Sequence, residues 1–223
     1  MYFLMGVIGL LGLPVAFFSR KAAYTMIRFY CRSVFFVLRY VAGLRVEIRG
    51  RVPSEPCLVC SKHQSFLDVM LLASALPNFR FILKHQLAYL PIIGFYARKT
   101  GCVAVNREKK IGTVNKMLEA LKQETGRQTI VYPQGTRVLP YAKSPYKFGA
   151  GLIYKSLNLK CYLVATNTGS FWARRSLYRY PGKAIVEFVE VLEPGLEVNE
   201  FMAQMEDKIE HASIKLMDEA SGN

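Results

Sequence analysis

His63 and Asp68 carry the chain's clearest invitation to chemistry. They stand five positions apart in Lys62-His63-Gln64-Ser65-Phe66-Leu67-Asp68, between an apolar, strand-like run (Pro56 to Cys60) and a helix-like one (Phe66 to Leu76). A strand-to-helix turn is a place where scaffolds present reactive side chains, and the turn lets the carboxylate fold back towards the imidazole. A carboxylate bonded to one ring nitrogen fixes the tautomer and leaves the other nitrogen to take a proton. No serine or cysteine nucleophile is then needed if the substrate brings its own hydroxyl. The same residues also spell a helix start, with Ser65 as N-cap and Asp68 three positions on, close to a capping box. The spacing alone does not choose between base and cap; Ser65 itself is read as a cap rather than a nucleophile.

Three further clusters follow expected strands: Asn106-Arg107, Pro133-Gln134-Gly135-Thr136-Arg137 and Asn167-Thr168-Gly169-Ser170. In open α/β sheets ligands gather at the carboxyl ends of strands, so His63, Arg107 and Arg137 are expected on one rim. The planar fork of arginine matches phosphate, and Gly135 permits close backbone approach at a turn. Each arginine alone reads first as a solvated surface charge; their joint position beside His63 and Asp68 is what points to an anionic substrate.

These side chains need a frame. From Leu44 onward strand-like runs (45–49, 58–61, 80–83, 103–105, 129–132, 161–165 and 184–191) alternate with helix-like ones (66–76, 90–99, 109–124, 149–157 and 199–219). That alternation predicts an α/β fold with a mixed, largely parallel sheet flanked by helices. Ile111, Val114, Leu118 and Leu121 form one apolar stripe, and Phe201, Met205, Ile209, Ala212 and Leu216 another, both facing the core. Residues 43–223 are therefore taken as one α/β domain.

Residues 1–42 have a different texture. Met1 to Ser19 bears no charge, and as a helix it spans roughly 28 Å, marginal for a bilayer core. Lys21, Arg28, Arg32 and Arg39, spaced 7, 4 and 7, make a basic stripe on the next helix beside Ile27, Val34, Phe35, Val37, Leu38 and Val41. The segment reads as a two-helix membrane-docking element, apolar face down and arginines among phosphates; a helix packed on its own domain is the competing reading. Basic Arg20 and Lys21 after the apolar run predict that the rest of the chain stays on the cytoplasmic side.

Composition sets the bounds. Within 223 residues, 30 Lys and Arg against 16 Asp and Glu give a net charge of +14, with a pI near 9.7 and a positive mean hydropathy of +0.16. Such a balance calls for an anionic partner. No DNA- or RNA-binding motif accompanies it, so nucleic acid is set aside in favour of an anionic membrane surface or a phosphorylated substrate. Five cysteines, mostly inside apolar runs, read as reduced and buried. Cys57-x-x-Cys60 lies within an expected strand, its ends on opposite faces, and no metal site is expected.

On these residues the sequence resembles the glycerolipid acyltransferase family, specifically the bacterial 1-acylglycerol-3-phosphate (lysophosphatidate) acyltransferases. His63-x4-Asp68 matches the family's first motif, Gly101-x-Val103-x-Val105-Asn106-Arg107 resembles the second, and Tyr132-Pro133-Gln134-Gly135-Thr136-Arg137 the third. Val164-Ala165-x-Asn167 lies where a fourth belongs, and Lys84-x-Gln86-Leu87, Pro91-x-x-Gly94 and Tyr146-Lys147-x-Gly149 resemble segments between them. The resemblance spans roughly residues 44–192. It departs at Gln134 and Gln86, where Glu is usual, at Lys62, where Asn often precedes the His, and at Tyr162, where Pro is usual.

The resemblance implies transfer of a fatty acyl group from acyl carrier protein or coenzyme A, as co-substrate and with no other cofactor, to the 2-hydroxyl of lysophosphatidate. It implies His63 and Asp68 as catalytic residues, with Lys84, Arg107, Gln134, Gly135, Thr136 and Arg137 around the acceptor phosphate. Backbone amides after Ser65 are expected at the oxyanion, and the 84–99 region as an acyl groove. It places the protein at the cytoplasmic face of a bacterial inner membrane. Two alternatives stay open: the same chemistry on a lyso-ornithine lipid or another lysophospholipid, and a non-catalytic module that holds anionic lipid.

Overall fold

A computed structural model describes residues 2–106 and 112–222. Two helices lead, α1 (Tyr2–Phe18) and α2 (Arg20–Val41). Then come β1 (Leu44–Arg49), β2 (Cys57–Ser61), α3 (Phe66–Ala75), β3 (Phe79–Lys84), a 3-10 turn (His85–Tyr89), α4 (Pro91–Lys99), β4 (Val103–Val105), α5 (Thr113–Gln123) and β5 (Gln128–Val131). The chain continues through α6 (Gly149–Leu157), β6 (Cys161–Thr166), the short α7 (Thr168–Phe171), β7 (Gly182–Leu192) and α8 (Val198–Ser221). The seven strands form one sheet in the order β1-β7-β6-β2-β5-β3-β4. Every pairing is parallel except β6 with β7. The mixed, largely parallel sheet expected from the alternation of runs is therefore present. Its seven strands lie within two residues of the expected runs, whereas α7 and the 3-10 turn carried no apolar period to announce them.

The buried strands show why the sheet needs cover on both faces. Along β2, Cys57 and Val59 join one core with α2 and α3, while Leu58 and Cys60 join a second with α5, α6 and α8. Successive side chains on a strand point to opposite faces, so the five buried positions of β2 hold the two layers together. All five cysteines are free. In α8 the expected stripe is confirmed: Phe201, Met205, Ile209 and Leu216 are buried. In α5, Met117 and Leu121 are buried with Val114 and Leu118 packed beside them; Ile111, expected in the same stripe, lies outside the described residues.

The second helix corrects part of the sequence expectation. Val34 and Leu38 do not face a bilayer; with Tyr24 and Cys31 they are buried in the core against α3 and the sheet. Amphipathic spacing announces an apolar face without saying what covers it, and here the sheet layer does. Tyr24 fastens the contact: its hydroxyl donates to the Phe79 carbonyl at 2.7 Å and accepts from Arg127 Nη1 at 2.9 Å. Arg28 leaves the basic stripe as well, donating to the Leu76 and Pro77 carbonyls at 3.1 and 2.5 Å, where a cation complements the end of α3. Lys21, Arg32 and Arg39 remain exposed. So do Phe3, Leu10, Leu11, Val15, Phe17 and Phe18 on α1, with Phe29, Phe36, Tyr40 and Val41 on α2. Among the described residues no helix is long and apolar enough to cross a membrane.

Candidate active site

The site lies at the carboxyl end of β2, the central strand, flanked by β5 and β6. Three of the four predicted clusters follow these three strands. The main chain leaves β2 at Ser61 and enters α3 at Phe66, so the turn between them carries His63.

In that turn the carboxylate of Asp68 does both of the jobs the sequence offered as alternatives. Its Oδ1 lies 2.8 Å from His63 Nδ1. Its Oδ2 accepts from the Gln64 and Ser65 amides at 2.9 and 2.7 Å and from Thr168 Oγ1 at 3.4 Å. Ser65 Oγ in turn accepts from Leu67 N at 3.1 Å and completes the capping box. Ser65 is thus consumed as a cap, as expected, and the Leu67 and Asp68 amides are occupied by it. Of the amides after Ser65 expected at the oxyanion, these two are therefore already taken. Asp68 is fully buried while the His63 side chain keeps 17% exposure. With Nδ1 held, Nε2 is the nitrogen left to face a substrate, and among the described residues it has no hydrogen-bond partner.

Tyr132, directly after β5, stacks on the imidazole with ring centroids 4.0 Å apart and planes 20° from parallel. Burial, and then the charge of Asp68, push its phenol well above the usual range, so the ring stays neutral beside the imidazole. This contact was not foreseen, although Tyr132 stood in the third motif.

His63 opens into a cavity of about 830 Å³, within the range of ligand pockets, roughly 300–1,000 Å³. Its walls are largely apolar: Met5 and Ile8 of α1, Ile27 of α2, Phe66 and Met70 of α3, and Phe81 of β3. Leu87, Leu90, Ile92 and Tyr96 line it too, so the 84–99 region expected to form an acyl groove does border the cavity. Lys84, Gly135, Thr136 and Arg137 also border it, joined by Arg174 from the loop after α7. Gly135 has φ of 71° and donates to the Tyr132 carbonyl at 2.9 Å, a left-handed turn that favours glycine. Arg174 reaches the Arg137 carbonyl at 3.5 Å. Among the described residues none of Lys84, Arg137 and Arg174 has a carboxylate partner. Sequence motifs did not mark Arg174; the available signal was a stretch from Asn167 to Val186 with four basic residues and no acid. Beside that loop, Arg179 lies over the Trp172 ring at 3.8 Å, and Trp172 meets Phe66 edge-on at 6.2 Å.

Two residues of the strand-end clusters, of which only Gln134 was expected in the site, turn away from the cavity. Gln134 does not line the cavity: its side chain is 2% exposed, with Nε2 3.4 Å from both Glu210 Oε1 and the Ser144 carbonyl. The turn that presents Gly135 to Arg137 on the rim directs Gln134 inwards towards α8. Asn167 is likewise fully buried; it accepts from Ile185 N at 2.7 Å and donates to the Leu216 carbonyl at 3.1 Å. The cluster after β6 therefore braces the sheet, with Thr168 as its one link to Asp68. Arg107 lies outside the described residues.

A strand-end histidine held by a buried carboxylate, above an apolar cavity with a cationic rim, suits acyl transfer between an activated acyl group and an anionic acceptor. Residues 43–168 match the family model Acyltransferase, and the chain belongs to that family. Two similar proteins are the 1-acyl-sn-glycerol-3-phosphate acyltransferases of Pseudomonas aeruginosa and Helicobacter pylori. The first is 26% identical over 186 residues, covering 81% of this chain and 71% of the relative. The second is 27% identical over 188 residues, covering 82% and 78%. The fold matches the crystal structure of the 1-acyl-sn-glycerophosphate acyltransferase PlsC from Thermotoga maritima, with a TM-score of 0.75 and 21% identity over 93% of this chain and 88% of that one.

Proposed function

We propose that this enzyme is a 1-acyl-sn-glycerol-3-phosphate acyltransferase, moving a fatty acyl group from an acyl-coenzyme A or acyl-carrier-protein thioester to the 2-hydroxyl of lysophosphatidate to give phosphatidate. The observation that carries this reading is one cavity bordered by His63, which the buried Asp68 holds, by apolar walls and by the unpaired cations Lys84, Arg137 and Arg174. Similarity to the two bacterial relatives supports the choice of acceptor.

In the reaction His63 Nε2 takes the proton of the 2-hydroxyl as its oxygen attacks the thioester carbon. Asp68 Oδ1 holds the Nδ1 proton and favours the imidazolium that forms. The tetrahedral intermediate expels the thiolate, which recovers the proton from the imidazolium, so the free thiol leaves and the base is regenerated. Lys84, Arg137 and Arg174 hold the acceptor phosphate and fix its hydroxyl near the thioester; Thr136 and the Gly135 turn shape that rim, and Arg107 is proposed for the same task. The apolar walls take an acyl chain. The exposed apolar side chains of α1 and α2, with Lys21, Arg32 and Arg39, seat residues 1–42 on an anionic bilayer at the cytoplasmic face.

The decisive assay follows free thiol released from each donor type by purified protein. Release that depends on lysophosphatidate is expected. Release only with lyso-ornithine lipid or another lysophospholipid would move the acceptor, and lipid binding without release would replace the enzyme by a binding module. His63→Ala is expected to lower turnover by at least ~10²-fold, the low end for a general base.

A further inference from the structure

His63 reaches the cavity because its two neighbours turn the other way. Lys62 and Gln64 are 1% and 0% exposed, and both reach α8. Lys62 Nζ sits 2.5 and 2.6 Å from the two oxygens of Glu210. Gln64 Nε2 lies 3.3 Å from Met217 Sδ, two helical turns further along. Side chains on extended backbone alternate in direction, so anchoring both neighbours on α8 projects His63 towards the opposite side.

The main chain is held at the same place. Lys62 N donates to the Val164 carbonyl at 3.0 Å, and the His63 carbonyl accepts from Val138 N at 2.8 Å. Among these anchors only Lys62 carries a charge into the interior. A buried ammonium is costly without its counterion, so the course of the chain through His63 depends on a carboxylate that lies 148 positions away in sequence. We infer that Glu210 is a positioning residue for His63, acting through Lys62.

The surroundings of Glu210 sharpen the inference. Its Oε1 also accepts from Tyr146 Oη at 2.9 Å and lies 3.4 Å from Gln134 Nε2. Position 134 is where the resembling family usually carries Glu, and Lys62 stands where Asn often precedes the His. In this chain the negative charge beside the third motif comes from α8 instead, matched to an ammonium on the catalytic turn. A carboxylate placed at 134 would face the same ammonium.

The inference rests on His63 as the base, and the test separates the two. In Glu210→Gln, kcat per folded molecule is expected to fall on the order of 10-fold or more through displacement of the base. KM for lysophosphatidate and for the acyl donor should stay unchanged, because Glu210 touches neither. The transposed variant Gln134→Glu/Glu210→Gln is expected to recover most of the lost kcat. Because removing the counterion of a buried ammonium also lowers stability, Lys62→Met/Glu210→Leu supplies a folded comparator without either charge; it should melt near wild type and still turn over slowly. Unchanged kcat in Glu210→Gln, a raised acceptor KM with kcat intact, no recovery in the transposed variant, or wild-type kcat in the comparator each overturns the proposal. His63→Ala assayed alongside isolates the base: activity lost there but kept in Glu210→Gln removes the positioning role alone.

Discussion

The catalytic turn and the cavity rim border the same space and are built in opposite ways. From Lys62 to Asp68 the polar side chains find partners within the protein: the ammonium has Glu210, and the Asp68 carboxylate has His63, two amides and Thr168. Along the rim Lys84, Arg137 and Arg174 have no acid to meet among the described residues. In the proposed mechanism the groups that move a proton are set in place before substrate arrives, which preserves their geometry through the reaction. The groups proposed to hold the substrate keep their charge for it. A fully paired rim would have to break its own ion pairs to bind phosphate.

The contrast predicts different failures in the two regions. The largest effect is expected at Asp68→Ala, which removes the orientation of His63 together with the Asp68 half of the capping box of α3. Turnover should fall by about 10²- to 10⁴-fold, the range of general acid–base assistance, with a loss of about 1–3 kcal/mol of stability because the buried Gln64 and Ser65 amides lose their acceptor. Steady-state kinetics and a thermal melt check both; a loss of stability with normal turnover would return Asp68 to a purely structural cap. On the rim, Arg137→Ala should act on binding. A charge-assisted hydrogen bond contributes about 1.5–3 kcal/mol, so KM for lysophosphatidate should rise roughly 10- to 100-fold with little change in kcat. Added salt should raise the wild-type KM in the same direction, because exposed charges are screened. A fall in kcat with constant KM would erase the distinction between turn and rim.

The smallest effect belongs to a surface pair far from either. Arg49 donates to both oxygens of Glu219 on α8 at 2.7 Å and to Glu47 Oε1 at 2.7 Å. These hydrogen bonds, chiefly Arg49's, hold the carboxyls of Glu47 and Glu219 below their ordinary value of 4.5. The folded protein therefore takes up these protons less readily than the unfolded chain. The stabilisation is present in full above pH 4.5 and is lost as pH falls through the depressed values. Arg49→Ala should cost less than about 1 kcal/mol near neutral pH, as exposed pairs do, and nothing once the carboxyls are protonated. Melts at two pH values measure it; an undiminished difference in acid would remove the carboxylates as its cause.

Local signals made most of the frame legible. Alternating runs gave the seven strands, and periodic apolar residues gave the faces of α5 and α8, because both follow from which side chains must leave water. His63 and Asp68 were legible because a turn of five positions is a local object. What was not legible depends on distant partners. The apolar stripe of α2 was visible, but only the folded sheet decides that Val34 and Leu38 are covered by the domain. Gln134 was assigned to the rim with Gly135 and Arg137, yet one step along a tight turn reverses direction and sends it to α8. Lys62 was noticed only as a departure from a motif, since its counterion stands at the far end of the chain. Arg174 had no motif to announce it and joins the rim through a loop anchored by Tyr180 N on the Phe171 carbonyl.

The chain also carries its own optical probe. Trp172 is its single indole, capped by the Arg179 guanidinium and one aromatic contact from Phe66 in the cavity wall. Emission from this one fluorophore can be followed without a label as substrate fills the site. A spectrum that changes with an acyl thioester but not with glycerol phosphate would tell which end of the cavity had been entered.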